Sequence, residues 1–149
     1  MAVIIQDEDF SADALLEENF RGDGTYGALV CFFGHVRQDA DGALVSMTLE
    51  HFPEMAIASL EKLETETRAR FDVDNVLILH RFGTMCPGEK IMMVATSSAH
   101  RKEAFHAADF LMDFLKTDAP FWKKETRTTD SRWVASNPAD ELLRAERAL

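Results

Sequence analysis

Cysteine is scarce in this sequence. Among 149 residues only Cys31 and Cys86 are cysteines, and two cysteines do not make a disulfide framework. Free thiols are typical of a reducing compartment, so we expect a cytoplasmic protein. Cys31 lies in an apolar stretch and is predicted to be a small buried hydrophobic residue. Cys86 is predicted to lie in a turn, and no activating cation or helix N-terminus can be assigned to its thiol.

Long hydrophobic runs are also missing. No stretch approaches the roughly 20 apolar residues that cross a bilayer, and the first ten residues turn acidic without a basic segment. We therefore expect neither a membrane span nor a secretory signal. The formal net charge of -10 disfavours nucleic acid as a partner. Against this acidic background, a local cluster of Lys and Arg becomes more informative.

Motifs that hold metals or nucleotides are absent. The five histidines form neither HxH nor HExxH, and there is no CxxC, so no metal site is predicted. We expect structural or surface roles for the histidines except His100, which adjoins Arg101 at a predicted helix start. Neither GxxxxGK[ST] nor GxGxxG occurs, so a glycine-rich phosphate loop is excluded.

The chain is predicted to be one α+β domain spanning residues 1–149, because it has no repeat, low-complexity tract or linker. Its strands arrive mostly as hairpins, which favours a mainly antiparallel sheet with helices packed on one side. Strands are expected at 2–5, 28–36, 44–52, 75–82, 90–97 and 132–135. Helices are expected from the Ser11 cap to about Phe20, and at 53–71, 99–116 and 138–149, and residues 117–130 are predicted to form a loop.

The most informative segment is the predicted helix at 99–116. His100, Arg101 and Lys102 fall in its first turn, where the helix dipole is unfavourable for cations unless an anion is also bound. Free backbone N–H groups at such an end form a ready site for phosphate. Arg101 heads an apolar face and should point toward the sheet edge; that face comprises Phe105, Ala108, Met112 and Leu115.

A second group of cations follows the same helix. Lys116 ends it, and Lys123 and Lys124 come directly after Pro-Phe-Trp, an aromatic loop sequence that favours a functional role for this pair. Arg37 ends an apolar strand and is a further candidate. We interpret Lys102 and Arg127 as solvated surface charges. The residues thus predict a phosphate-sized anion pocket with at least one lysine placed for chemistry, without naming a reaction.

The same segments carry a family resemblance. The sequence resembles the large, catalytic subunit of molybdopterin synthase through five motifs that occur in the order typical of that family, and through Arg-Trp at 132–133. The motifs are FFGHVR (32–37), LEHFPEMA (49–56), HRFGTMCPGE (80–89), SSAHRKEAF (97–105) and LKTDAPFWKKE (115–125).

This resemblance implies a fold, a reaction and partners. The fold would be α/β hammerhead-like. The substrate would be cyclic pyranopterin monophosphate, into which two sulfurs are placed to make molybdopterin for the molybdenum cofactor. Sulfur would arrive as a thiocarboxylate on the C-terminal Gly-Gly of a small ubiquitin-like subunit. The assembly would be a heterotetramer built on a homodimer of large subunits, and no metal or organic cofactor would be required.

The resemblance also implies site residues. Substrate-binding segments would comprise His35, Val36, Arg37, His100 and Arg101, and the reacting centre Lys116, Lys123, Lys124 and Glu125. Lys116 and Lys123 are the predicted catalytic residues: Lys116 near the incoming thiocarboxylate, Lys123 as a group that transfers protons or stabilises charge. Arg37, His100 and Arg101 would contact phosphate and pterin.

Two other functions stay open from the residues. One is a non-enzymatic dimeric module that binds a phosphorylated metabolite, which explains the cations but not the lysines beside a bulky aromatic loop. The other is a persulfide sulfurtransferase that uses Cys86, which predicts that Cys86→Ser abolishes activity.

Overall fold

A computed structural model describes residues 3–134. The predicted helix at 138–149 and the last residue of the strand predicted at 132–135 lie outside this range. The strands are β1 Val3–Gln6, β2 Ala28–His35, β3 Leu44–His51, β4 Asn75–Arg81, β5 Gly83–Met85, β6 Lys90–Ser98, β7 Phe121–Arg127 and β8 Ser131–Val134. The helices are α1 Ala12–Asn19, α2 Pro53–Arg70 and α3 Arg101–Thr117. No helix in this part of the chain is long and apolar enough to span a bilayer.

Helix starts follow local sequence signals. The hydroxyl of Ser11 accepts a hydrogen bond from the backbone N–H of Ala14 at 3.3 Å, which caps α1. Pro53 is the first residue of α2, where its fixed φ is compatible with the helix and its missing N–H has no partner to lose. These two predicted starts are confirmed.

The first sheet has the strand order β1-β4-β6-β2, and only the β1–β4 pair is parallel. On one face, Ile78 and Val94 pack with Leu60 of α2 and Leu111 of α3. Each such fully buried Leu or Ile contributes about 1.5–3 kcal/mol through burial of apolar surface.

The opposite face of this sheet is covered as well. Leu77, Leu79 and Met93 pack with Phe10, and Leu16 of α1 adds to this second cluster. The prediction of helices on one side was therefore wrong, because α1 supplies an apolar cover for the other face. Strands that are buried on both faces have near-continuous apolar sequences, and β4 and β6 have that pattern.

The second sheet has the order β5-β3-β7-β8 and is antiparallel throughout. The prediction of a loop at 117–130 was wrong for Phe121–Arg127, which form strand β7 of this sheet. The sequence FWKKETR lacks apolar alternation, so its strand character comes from pairing with a neighbour on each side: Lys123 lies opposite Leu49 of β3 and opposite Val134 of β8. Long-range pairing of this kind overrides local propensity.

The buried face of α3 also differs from the prediction. Phe105 is exposed, and the helix packs through Ala104, Ala107, Ala108 and Leu111. Small alanine side chains let the helix lie close to β6 and β2. The buried face of the helix is therefore rotated by about one residue position relative to the predicted face. Arg101 is exposed at the start of this helix.

Candidate active site

A pocket of about 420 Å³ is lined by residues of both sheets and the C-terminal half of α3. Its size falls within the range for small-molecule sites, roughly 300–1,000 Å³. Much of the lining is apolar, including Leu49, Met92 and Leu115. The polar and charged lining residues are His35, Arg37, His80, Lys116 and Lys123. An apolar cavity edged with cations suits an organic anion.

The end of β2 and the residues just after it bring His35 and Arg37 to this pocket. The pairing of β2 with β6 shifts register between Gly34 and His35. A Cβ added at Gly34 would lie 3.2 Å from the Met92 side chain, so glycine lets the two strands pack closely. After the shift, the side chains of His35 and Arg37 both line the pocket.

Val36 lies between these two residues but faces the core. Its side chain is buried with Leu44 and Met47, and its backbone N–H donates to the carbonyl of Glu89 at 2.9 Å. Val36 is not among the pocket-lining residues. These contacts fix the backbone between the exposed side chains of His35 and Arg37.

The two predicted catalytic lysines line the same pocket. Lys116 is in the last turn of α3, where the helix dipole favours a cation. Lys123 is half-buried on β7. Burial lowers the pKa of Lys123, the positive charge of Lys116 lowers it further, and Glu125 opposes the shift. A lysine with a lowered pKa is a better proton-transfer group near neutral pH.

Lys124 lies on the opposite face of β7 from Lys123, because successive side chains of a strand alternate. Its ammonium lies 6.0 Å from the centroid of the Trp133 ring, and Lys124 is absent from the pocket lining. The structure therefore separates the two neighbouring lysines that the sequence presents as a pair.

Glu125 shares the face of Lys123 but has a different immediate partner. Its carboxylate accepts a hydrogen bond from Arg127 at 2.8 Å, and Arg127 also contacts the carboxylate of Asp39. The Arg127 side chain is only 15% exposed. The interpretation of Arg127 as a solvated surface charge was wrong, since two carboxylates hold it between β7 and the loop that follows Arg37.

His80 is a pocket residue that sequence reasoning did not select. It is buried near the end of β4, and its Nδ1 lies 2.8 Å from the carbonyl oxygen of Arg81. Burial lowers the pKa of His80 to about 4, and His51 and Lys116 add to the shift. One feature of the sequence could have indicated His80: it ends NVLILH, a segment whose other residues are mostly apolar and buried.

His100 and Arg101 lie at the other end of α3 from Lys116. At 1.5 Å per residue, the helix separates Arg101 from Lys116 by about 22 Å. Both residues are exposed, and neither is part of the pocket lining. Within one protomer, the structure therefore does not bring these two predicted residues to the lysines.

Neither cysteine is among the residues that line the pocket. Cys86 is exposed, and its backbone N–H donates to the carboxylate of Glu89 at 2.6 Å. Cys31 is half-buried rather than fully buried, and burial raises the pKa of its thiol. Among residues 3–134, no cluster of three His, Cys, Asp or Glu could hold a metal ion.

The fold and pocket define a class: an α+β protein with a cation-edged pocket between two sheets. The family model described as "MoaE protein" matches residues 5–118. The chain belongs to this family.

Named relatives agree with this membership. The molybdopterin synthase catalytic subunit of Cereibacter sphaeroides is 46% identical over 141 residues, which cover 95% of this chain and 96% of the relative. The molybdopterin biosynthesis MoaE protein of Burkholderia ambifaria has a similar structure, with 40% identity, a TM-score of 0.82 and coverage of 100% and 99% of the two chains.

A more distant structure shares the fold alone. It is a chain from a complex of subunits 1 and 2 of the molybdopterin-converting factor of Helicobacter pylori. It is 16% identical, with a TM-score of 0.75 and coverage of 95% of this chain and 97% of that one.

Proposed function

We propose that this chain is a sulfurtransferase, the subunit of molybdopterin synthase that converts cyclic pyranopterin monophosphate to molybdopterin. Membership of the MoaE family places it in molybdenum cofactor biosynthesis, and its relative from Cereibacter sphaeroides bears the name of the catalytic subunit. The observation that carries the proposal is the half-buried Lys123 beside Lys116, in a pocket that also presents Arg37.

The chemistry needs the groups that line this pocket. In each transfer, a thiocarboxylate sulfur forms a C–S bond to a substrate carbon, and the C–O bond at that carbon breaks. In one transfer the leaving oxygen is that of the ring phosphate, and in the other it leaves as water after protonation. The bond from sulfur to the partner's acyl carbon then breaks, and water supplies the oxygen of the released carboxylate. Opening the cyclic phosphate and adding sulfur both build negative charge, which fixed cations stabilise. Two partner molecules supply the two sulfurs.

The lysines divide these tasks in our proposal. Lys116 is exposed at the edge of the pocket and attracts the incoming thiocarboxylate. Lys123 transfers protons, because burial and Lys116 lower its pKa toward neutrality. Arg37 and His35 bind the phosphate end of the substrate, and the apolar lining receives the ring system.

Val36, Lys124 and Glu125 act less directly in this scheme. Val36 anchors the segment that presents His35 and Arg37. Glu125 favours the protonated form of Lys123. Its carboxylate raises the pKa of Lys123 and so opposes the decrease that burial causes. Lys124, on the other face of β7, contributes positive charge where the strand approaches Trp133.

The sulfur donor is proposed to be a small ubiquitin-like subunit with a C-terminal Gly-Gly thiocarboxylate. The word "subunit" in the relatives' name and the two-subunit complex from Helicobacter pylori support such a partner. A Gly-Gly tail has no side chains, so it can enter a pocket that a bulkier tail would not fit. Its terminal anion is attracted by the lysines.

A second copy of this chain is proposed to complete the site. His100 and Arg101 are exposed about 22 Å along α3 from Lys116, too far to share one small substrate with it. A homodimer can bring the start of α3 in one protomer to the pocket of the other. With one small subunit at each pocket, the assembly is a heterotetramer.

The experiment is to mix the purified chain with precursor and thiocarboxylated partner and to follow molybdopterin formation. The matched control is a partner shortened by its two terminal glycines. Product with the full-length partner and none with the truncated one is the expected result. Precursor binding without turnover in the complete mixture would instead favour a metabolite-binding module. Equal rates from free sulfide without partner would contradict the proposed donor.

A further inference from the structure

Phe121, the first residue of β7, contacts two imidazole rings. Its ring centroid lies 3.8 Å from that of His80 with an interplanar angle of 15°, and 5.7 Å from that of His51 with an angle of 19°. His51 also contacts Phe82 at 4.4 Å. Because His80 belongs to the first sheet and Phe121 to the second, this aromatic cluster joins the two sheets beside the pocket.

The ring of His80 is held in one orientation. A carbonyl oxygen can only accept a hydrogen bond, so the 2.8 Å contact from Nδ1 to the Arg81 carbonyl places a proton on Nδ1. His80 is 6% exposed, and burial disfavours the charged form of its ring. A neutral, buried imidazole stacked on Phe121 is therefore a fixed wall of the pocket.

The position of Phe121 on β7 links this wall to Lys123. Residues two apart on a strand share a face, and both Phe121 and Lys123 line the pocket. Burial is the largest cause of the lowered pKa of Lys123. Phe121 is therefore the part of the pocket wall that lies next to Lys123 along β7.

We propose that His80 is a positioning residue for Lys123: its neutral ring holds Phe121, and with it the start of β7, against the first sheet, so that Lys123 stays in a poorly hydrated pocket. The proposal rests on the proposed role of Lys123 in sulfur transfer. Two other groups shift the pKa of Lys123, namely Lys116 on α3 and Glu125 on β7. Other titratable or charged groups nearby are His35 at the end of β2 and Arg37 just beyond it, which line the same pocket, and His51 on β3, which stacks on Phe121.

The first test needs no activity. The chain alone is labelled with a limiting amount of an amine-specific acylating reagent across a pH series, and the modification of Lys123 is read by peptide mass spectrometry. His80→Ala removes the stacked ring and admits water, so the labelling curve of Lys123 should move to higher pH by ~1 unit. His80→Phe keeps a neutral stacked ring, so its curve should stay near that of the unsubstituted chain.

Two controls make this test specific. His106→Ala changes an exposed histidine of α3 and should leave the Lys123 curve unchanged. Lys62 is an exposed lysine on α2, and its labelling should not differ among these proteins. If His80→Ala does not fold, Phe121→Leu removes the other member of the stack and should move the curve in the same direction. An unmoved Lys123 curve in a folded His80→Ala or Phe121→Leu variant would overturn the proposal.

The second test uses the complete enzyme with partner and precursor. A lysine displaced by about 1 Å can cost a factor of roughly 10² in rate, so kcat of His80→Ala should fall about 10- to 100-fold. The pH–rate profile should move with the labelling curve, which a loss of stability alone would not cause. An unaltered pH–rate profile in His80→Ala would contradict the positioning role. If labelling shifts as expected but the unsubstituted chain forms no product, the proposed function fails and the link from His80 to Lys123 stands.

Discussion

Lys116 lowers the pKa of Lys123 although the two residues lie on different elements. The connection between α3 and β7 is a tight turn, in which Asp118 and Ala119 both donate backbone hydrogen bonds to the carbonyl of Phe114. This turn folds the chain back, so that the last turn of the helix and the third residue of the strand line one pocket. The pairing of two cations in a partly apolar site is what makes Lys123 a candidate for proton transfer.

Replacement of Lys123 by Ala should abolish most sulfur transfer while the protein stays folded. Loss of a positioned proton-transfer group costs about 10²–10⁴ in rate. The matched control is Lys124→Ala, which removes the neighbouring lysine from the other face of β7 and should have a milder effect. Turnover is measured with partner and precursor, and folding by circular dichroism. Near-normal turnover of the Lys123 variant would rule out the assigned role.

Replacement of Lys116 by Met should raise the pKa of Lys123. The ammonium of Lys116 disfavours a second positive charge nearby, and removing it makes protonation of Lys123 easier. The pH at which Lys123 is half-labelled by an acylating reagent should therefore increase. Lys102→Met, an exposed change at the other end of α3, should have no such effect. An identical Lys123 curve in both variants would mean that the charge of Lys116 does not contribute to the pKa of Lys123.

Much of the fold could be predicted because periodicity and caps act locally. Ser11, Pro53 and the apolar run of β4 marked their elements correctly. Strand β7 could not be found in this way, because a charged sequence becomes a strand only through the long-range pairing of Lys123 with Leu49 and Val134.

The candidate site was predictable to a similar degree. The resemblance indicated Arg37, Lys116 and Lys123, and the structure places all three in one pocket. His80 was not selected, because nothing in the sequence shows that the end of a buried strand meets Phe121. The partners of Arg127 were hidden for the same reason: Asp39 comes near it only after β3 and β7 have paired.

The assembly prediction can be tested by mixing variants. Arg101→Ala should weaken precursor binding by about 1.5–3 kcal/mol, the range for hydrogen bonds to charged groups. If the second copy supplies Arg101, a dimer with Arg101→Ala in one protomer and Lys123→Ala in the other keeps one intact site. Re-equilibrated mixtures should then be more active at low precursor concentration than either variant alone. If the mixtures are no more active than either variant alone, Arg101 and Lys123 do not serve one shared site across the dimer.

Replacement of Arg127 by Met should destabilise the protein by about 1.5–3 kcal/mol, since Asp39 and Glu125 would lose a partner that is shielded from water. The control is Lys62→Ala, which breaks the exposed pair of Lys62 with Glu66 and should cost about 0–0.5 kcal/mol. Urea unfolding measures both. Equal effects of the two substitutions would show that the Arg127 contacts behave like a surface pair.

The buried His80 should make stability depend on pH below neutrality. Its pKa is about 4 in the folded protein, against 6.5 for an unperturbed histidine. Between these values the unfolded chain binds more protons than the folded one, so the free energy of unfolding decreases as pH falls from about 6.5 to 4. At 1.36 kcal/mol per pKa unit, the decrease from this residue is at most about 3–4 kcal/mol. His80→Phe cannot titrate at this position, so its free energy of unfolding should fall less over the same pH range. Parallel pH curves for the two proteins would mean that His80 has the same proton affinity in the folded and unfolded states.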